Sequence, residues 1–236
     1  MIDSFSQSSK TAAHTNGQRA SRRARVTSST LAVLCTGWLV GGCLSRPALS
    51  RQSFAFAIPQ VGRIAGQGTN VLEIQQLKVA APFDNQSFVY RTGEFSYERD
   101  PYAQFLVAPE EIFVPPMRGY LLNSGSFGDV VSETGTIKPE MTATIYIGQL
   151  YGDFRNHQAP AAVLDMTFQV FNPGQGGQSE LWLQKQYEQR VPFHERTAAA
   201  LMAAWNQALQ RTMEAVIADL KKSAETRGQT GESRGR

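Results

Sequence analysis

The chain has 236 residues, 42% of them hydrophobic and 18% charged, with a formal net charge of +3, enough for one domain of ordinary size with a buried core. The charge is unevenly placed: the first 42 residues carry Lys10, Arg19, Arg22, Arg23 and Arg25 against Asp3, and the 194 that follow hold 18 basic and 19 acidic side chains. That balance excludes a basic nucleic-acid footprint, and with Cys35 and Cys43 as the two cysteines neither a disulfide nor a thiolate metal site can form beyond residue 43.

Taken in chain order, the arginine-bearing start is followed by an apolar run over residues 31–40 and then by Leu39-Val40-Gly41-Gly42-Cys43. A charged region, a short apolar region and small residues before a cleavage point make a secretory signal, and the last five residues read as a lipobox with Cys43 the acylated residue. The apolar run is about half of the roughly 20 residues a spanning helix needs. Arg22-Arg23 gives a weak twin-arginine pattern. Residues 1–42 are thus expected to be a lipoprotein signal peptide and residues 43–52 a lipidated cysteine with a tether. Residues 44–52 span at most about 30 Å at ~3.3 Å per residue.

Phe54, Phe56 and Ile58 alternate as in a strand that ends at Pro59. A Gly-rich loop over 60–70 follows, with Gly62, Gly66 and Gly68. Over 71–79, Leu72 and Ile74 share one phase and Leu77 and Val79 the other, which predicts a strand with a bulge near Gln75-Gln76. Residues 87–91 and 94–97 read as a hairpin about Thr92-Gly93. Pro109, Glu110 and Glu111 open a helix that Pro115-Pro116 must break, with a second piece over about 116–122. Strands are predicted over 141–151, over 162–171 with Leu164, Met166, Phe168 and Val170 on one face, and through Leu181, Leu183, Tyr187 and Val191. Short polar links make these an antiparallel meander. From Glu195 on, Ala198, Leu201, Met202, Trp205, Ala208, Leu209, Val216 and Leu220 recur at helical spacing, an amphipathic helix of roughly seven turns whose stripe covers the meander. The fold class expected is α+β: a mainly antiparallel sheet with a three-strand C-terminal meander, one broken middle helix and a long C-terminal helix packed on the sheet. The folded domain is expected over 53–222 and a disordered polar tail over 223–236.

Motifs that carry chemistry are sparse. The run Asn123-Ser124-Gly125-Ser126-Phe127-Gly128 lacks the spacing of a serine elbow and reads as a polar turn. Gly174-Gln175-Gly176-Gly177 has neither the Lys-Ser/Thr nor the helix of a phosphate loop. His157 and His194 fall outside any zinc spacing. Asp153, Asp165 and Glu188 sit on different elements. No catalytic residue, metal or cofactor is expected beyond covalent lipid on Cys43. Trp182 and Trp205 are core candidates. The group Tyr90, Arg91, Phe95 and Tyr97, with Arg99 and Tyr102, is the candidate partner-binding surface, because Tyr and Arg are enriched where interfaces concentrate their energy. The competing account packs these side chains on the sheet, with Arg91 satisfying a carboxylate.

The series Phe88-Val89-Tyr90-Arg91, Tyr97, Pro109, Leu121-Leu122-Asn123-Ser124-Gly125-Ser126-Phe127 and Val130-Val131, behind a lipobox, resembles the ABC-type transport auxiliary lipoprotein family, the PqiC-like proteins. The likeness spans residues 39 to about 220 and lies in the order and spacing of the motifs rather than in any one of them. It implies a non-enzymatic envelope lipoprotein serving phospholipid transport, working with an MCE-type substrate-binding protein and its ABC permease and ATPase, with homo-oligomerisation a further property of the resemblance. Leu44 after the cysteine implies the periplasmic face of the outer membrane rather than the inner membrane. The alternatives are a direct lipid-binding periplasmic lipoprotein, with its cavity between the C-terminal helix and the meander, or a structural envelope lipoprotein.

Overall fold

The alternating and helically spaced runs become eight strands and three helices among the residues described by a computed structural model, 50–59, 68–132, 138–173 and 179–233. In order these are β1 (Gln52–Phe54), β2 (Val71–Val79), β3 (Ser87–Arg91), β4 (Tyr97–Phe105), α1 (Pro109–Ile112), α2 (Val114–Asn123), β5 (Asp129–Val131), β6 (Met141–Asp153), β7 (Ala161–Pro173), β8 (Ser179–Pro192) and α3 (Ala198–Ser233). They belong to one compact unit, Leu49–Arg236. The signal segment, Cys43, residues 60–67 and the glycines of 174–177 lie outside the described residues.

The thirteen residues of β6 organise the sheet. One edge of β6 pairs with β7, which pairs in turn with β8, and both pairings are antiparallel. Its other edge is shared end to end by β2, along Met141 to Ile147, and by β3, at Gly152 and Asp153. A 3-10 turn over Ala81–Phe83 steps the chain from β2 to β3, and Ala80 N–H donates to Ile147 C=O at 2.9 Å across that step. Outside this column β5 flanks β2, β4 flanks β3 and β1 flanks β4.

The sheet is therefore mixed, not mainly antiparallel as the sequence reading expects. Four of its seven pairings, β1 with β4, β2 with β5, β2 with β6 and β3 with β6, are parallel, and three are antiparallel. The parallel pairings join strands that do not follow one another in the chain, since parallel neighbours cannot be linked by a tight turn. β5 and β6, which come after α1 and α2, lie on the two edges of β2 and run with it, whereas β5 runs opposite to β4, the strand the helical segment leaves. The general α+β class, the three-strand meander and the broken helix stand, with the break falling at Phe113 between α1 and α2.

Local features match or shift in detail. The bulge in β2 falls between Ile74 and Gln76. The strand expected over 94–97 is displaced: residues 94–96 belong to the turn, and β4 starts at Tyr97 and runs to Phe105 through a bulge held by Asp100. The first strand stops at Phe54, and Ala57 N–H donates instead to the Asn206 side chain of α3 at 2.7 Å, so Phe56 and Ile58 are buried outside the ladder. α3 is capped by Thr197, whose Oγ1 accepts from Ala200 N–H at 3.1 Å, and it extends through Ser233 into the segment expected as a disordered tail.

The core lies between the sheet and its helices. α3 packs on β7 and β8, and α2 on β2 and β5. Trp205 is fully buried, donates Nε1–H to Val163 C=O at 3.2 Å, and meets Phe88 edge to face at 4.9 Å and Phe105 at 5.5 Å. Trp182, expected in the core, is only partly buried and lies under Arg227 at 4.7 Å. α3 crosses close to the sheet at Gly152, where a Cβ would come within 2.9 Å of Leu201 Cδ2. Among the described residues no helix is long and apolar enough to cross a membrane.

Candidate functional site

β3 and β6 end side by side, Arg91 opposite Asp153, and Phe154 N–H donates to Arg91 C=O at 2.9 Å. β4 begins there too, with Tyr97 opposite Arg91. The intervening turn closes by Thr92 N–H to Ser96 C=O at 3.0 Å. One end of the sheet thus gathers Tyr90, Arg91, Tyr97, Tyr151 and Asp153, with the β3–β4 turn standing beyond them.

Of the four residues proposed from sequence as a contact surface, two brace the end and two are presented by it. Arg91 lies between two rings, its Cζ 5.6 Å from the Tyr97 centroid and 5.9 Å from that of Tyr151. Its Nη2 donates to Glu94 C=O at 2.7 Å and its Nη1 to Tyr151 Oη at 3.4 Å, while Nε is buried without an acceptor. The carboxylate expected for Arg91 is replaced by a carbonyl and two aromatic faces, contacts worth about 0.5–1 kcal/mol each where partly exposed. Tyr90 donates its hydroxyl to Asp100 Oδ2 and packs edge-on against Phe154 at 5.2 Å. The other oxygen of Asp100 accepts from Tyr102 N–H at 2.7 Å and Ala103 N–H at 2.9 Å, which fixes the β4 bulge. Burial, with the bond to Asp100, pushes the Tyr90 phenol well above its ordinary range.

Phe95 is 88% exposed at the tip of the turn, and Tyr97 and Tyr102 are each 47% exposed on β4. An aromatic held almost wholly in water at a hydrogen-bonded tip is the informative exposure here, since scattered apolar surface is ordinary.

The end also contains an ionic knot that sequence reading did not find. Asp153 is buried, with 1% of its side chain exposed, and Arg155 grips it with Nε at 3.0 Å and Nη2 at 2.7 Å while Arg190 Nη1 approaches to 2.7 Å. Hydrogen bonding from Arg155 outweighs the opposing effect of burial and, with Arg190, holds the Asp153 carboxyl far below the usual carboxylate range. The signal available in sequence was weak. Asp153 and Arg155 are near neighbours, but Arg190 reaches them only because β6, β7 and β8 lie in register.

Of the remaining candidates, His157 is exposed at this same end, where it lines a groove with Tyr90, Glu98 and Asp100, and His194 is exposed in a separate loop. Asp165 accepts from Gln186 Nε2 at 2.7 Å on another part of the sheet. The Ser124-Gly125-Ser126 run forms the turn after α2, with Ser124 Oγ donating to Leu121 C=O at 2.6 Å and Gly125 at a φ of 70°. Among the described residues no group of three or more His, Cys, Asp or Glu is placed to hold a metal ion. A groove of about 420 Å³ lies beside Tyr90, Asp100, Phe154 and Arg196. At the opposite end, a groove of about 510 Å³ lies between the C-terminal part of α3, the segment before β2 and the turn after α2, lined by Asn70, Phe127, Met141, Trp182, Leu220 and Ala224 among others.

This mixed sheet with its long C-terminal helix is a fold shared with solved structures of little sequence similarity. The crystal structure of protein XCC0632 from Xanthomonas campestris, of the family DUF330, superposes with a TM-score of 0.64 at 13% identity, covering 75% of this chain and 99% of that one. A crystal structure of an uncharacterized protein superposes at 0.57 with 10% identity, covering 72% and 99%. No protein-family model matches the chain, and no curated protein matches it.

Proposed function

We propose that this chain is a non-enzymatic envelope lipoprotein, held by acyl chains on Cys43 at the periplasmic face of the outer membrane, that serves as an auxiliary docking component of an MCE-type ABC phospholipid-transport system. The order of lipobox, Tyr90-Arg91 strand, broken helix and C-terminal helix supports this reading, and so does the fold likeness to a DUF330 protein. The observation that carries it is the make-up of one sheet end. The buried carboxylate there, Asp153, is taken up by two arginines, while Phe95 and Tyr97 are turned to solvent. A contact surface needs exposed aromatics on a rigid support.

The partners in this reading are the membrane, an MCE-type substrate-binding protein with its permease and ATPase, and further copies of the chain. Affinity capture of the lipidated full-length protein from detergent-solubilised envelopes tests it. The MCE-type protein should co-elute, and its absence under every lipid condition contradicts docking.

A second reading, direct binding of a lipid, is favoured by the 510 Å³ groove beside the C-terminal part of α3, which is within the size range of small-ligand pockets. Native mass spectrometry distinguishes it through phospholipid retained at defined stoichiometry.

A further inference from the structure

We infer that the β3–β4 turn bearing Phe95 rests in the interfacial layer of the same bilayer that holds Cys43, so that the aromatic end of the sheet is the membrane-facing end. This rests on the lipid-anchored reading above, adds an orientation to it, and assigns that aromatic contact surface to the membrane among the partners named there, leaving the other faces of the domain to protein partners.

The argument begins with the direction of β1. It pairs parallel to β4, Ser53 opposite Gln104, so the chain before Gln52 leaves toward the end where β4 begins at Tyr97. Registers place Ser53 along the sheet. Gln104 lies opposite Ser87, and Ser87 precedes by three residues Tyr90, which lies opposite Gly152. Ser53 is thus level with about residue 149 of β6, four positions from Asp153 and eight from Met141. At ~3.3 Å per residue these are about 13 Å to the aromatic end and about 26 Å to the far end.

Residues 44–52 reach at most about 30 Å when fully extended. From the start of β1, the shorter distance is within that reach with length to spare. Reaching a bilayer at the far end would require it to reverse direction and spend nearly its whole length. An acyl-anchored Cys43 therefore favours the Phe95 end as the one beside the headgroups.

What stands at that end suits an interface. Aromatic side chains collect at the headgroup level of bilayers, and here Phe95 and Tyr97 are exposed at the end itself, with Tyr102 further back along β4. The tip is stiff, because Arg91 holds Glu94 C=O from within the sheet. Between residues 91 and 100 the charged groups are Arg91 and Arg99 against Glu94, Glu98 and Asp100. Arg155 and Arg190 add two further exposed cations around Asp153 at the same end, so aromatic burial is supplemented by attraction to anionic headgroups.

The test uses the mature lipidated protein in vesicles of phosphatidylethanolamine and phosphatidylcholine. Cys43 is consumed as a thioether and Cys35 leaves with the signal, so a single introduced cysteine is the one free thiol. Phe95→Cys and Leu181→Cys, the latter an exposed position at the start of β8 on the opposite end, are labelled with the same polarity-sensitive nitrobenzoxadiazole. The expected result is blue-shifted emission from position 95 only, with several-fold stronger quenching by brominated phosphatidylcholine than at 181. Equal, solvent-like emission from both positions overturns the inference, as does a shift at 95 that occurs only when a protein partner is added. The N-terminal mass is measured on the same sample. Acylated protein with a wet position 95 defeats the orientation alone, whereas unacylated protein defeats both the anchored reading and this inference.

Discussion

Replacing Asp153 with asparagine removes the negative charge on which Arg155 and Arg190 converge while keeping the shape of the side chain. Breaking a fully buried ion pair costs about 3–5 kcal/mol, whereas exposed pairs contribute about 0–1 kcal/mol. Asp153 is 1% exposed, but the Arg155 and Arg190 side chains are 41% and 50% exposed and can turn to water. The cost should fall between those limits, at about 2 kcal/mol, or about 4–8 °C in melting temperature for a domain of this size. The pH dependence has a definite sign. The folded carboxyl titrates below its unfolded value, so its contribution is complete above about pH 4, the ordinary aspartate range, and fades as pH falls toward the depressed folded value. Thermal unfolding followed by circular dichroism at pH 7 and at pH 3 should show a gap between wild type and variant that narrows in acid. No gap at pH 7, or an undiminished one at pH 3, would refute the assigned role. Loss of envelope function in a folded Asp153→Asn variant would separately point to catalysis.

Phe88→Ala should cost about 3–5 kcal/mol in a denaturant titration, since Phe88 is fully buried between Phe105 and Trp205 and the cavity cannot close. Gly152→Ala should cost about 1–2 kcal/mol by the same measurement, because the new Cβ meets the ends of Leu201 and Phe154 at 2.9 Å and both must shift. Tyr90→Phe should lose about 1–2 kcal/mol by releasing a hydrogen bond to a carboxylate. The wild type should carry that contribution below about pH 10, the ordinary tyrosine range, and lose it as alkali approaches the raised folded value. Arg91→Ala should leave the fold standing but speed hydrogen exchange at residues 92–96, the turn it holds through Glu94.

Strand positions were largely legible because period-two alternation is a local signal. The bulge in β2 could be read from a change of phase, and the helix break from Pro115-Pro116. Strand direction was not legible in the same way. Short polar links correctly suggest that β6, β7 and β8 turn back on themselves, but β2 and β3 meet β6 only through a long connection, and no local pattern shows that both share one of its edges. The candidate surface divided for a similar reason. Tyr90, Arg91, Phe95 and Tyr97 do share one end, yet which of them faces water depends on Asp100 and Tyr151, one beyond the hairpin turn and one on a distant strand. Trp182 and Trp205 look alike in sequence, and only the path of α3 buries one and leaves the other at a groove.

The central claim is that Cys43 carries the lipid that holds this domain at a membrane. Metabolic labelling with an alkyne palmitate, followed by fractionation, tests it directly. The account predicts label on a processed, membrane-associated chain and its loss in a Cys43→Ser variant, which should accumulate as the longer precursor. An unlabelled, full-length wild-type chain recovered in the soluble fraction would contradict it.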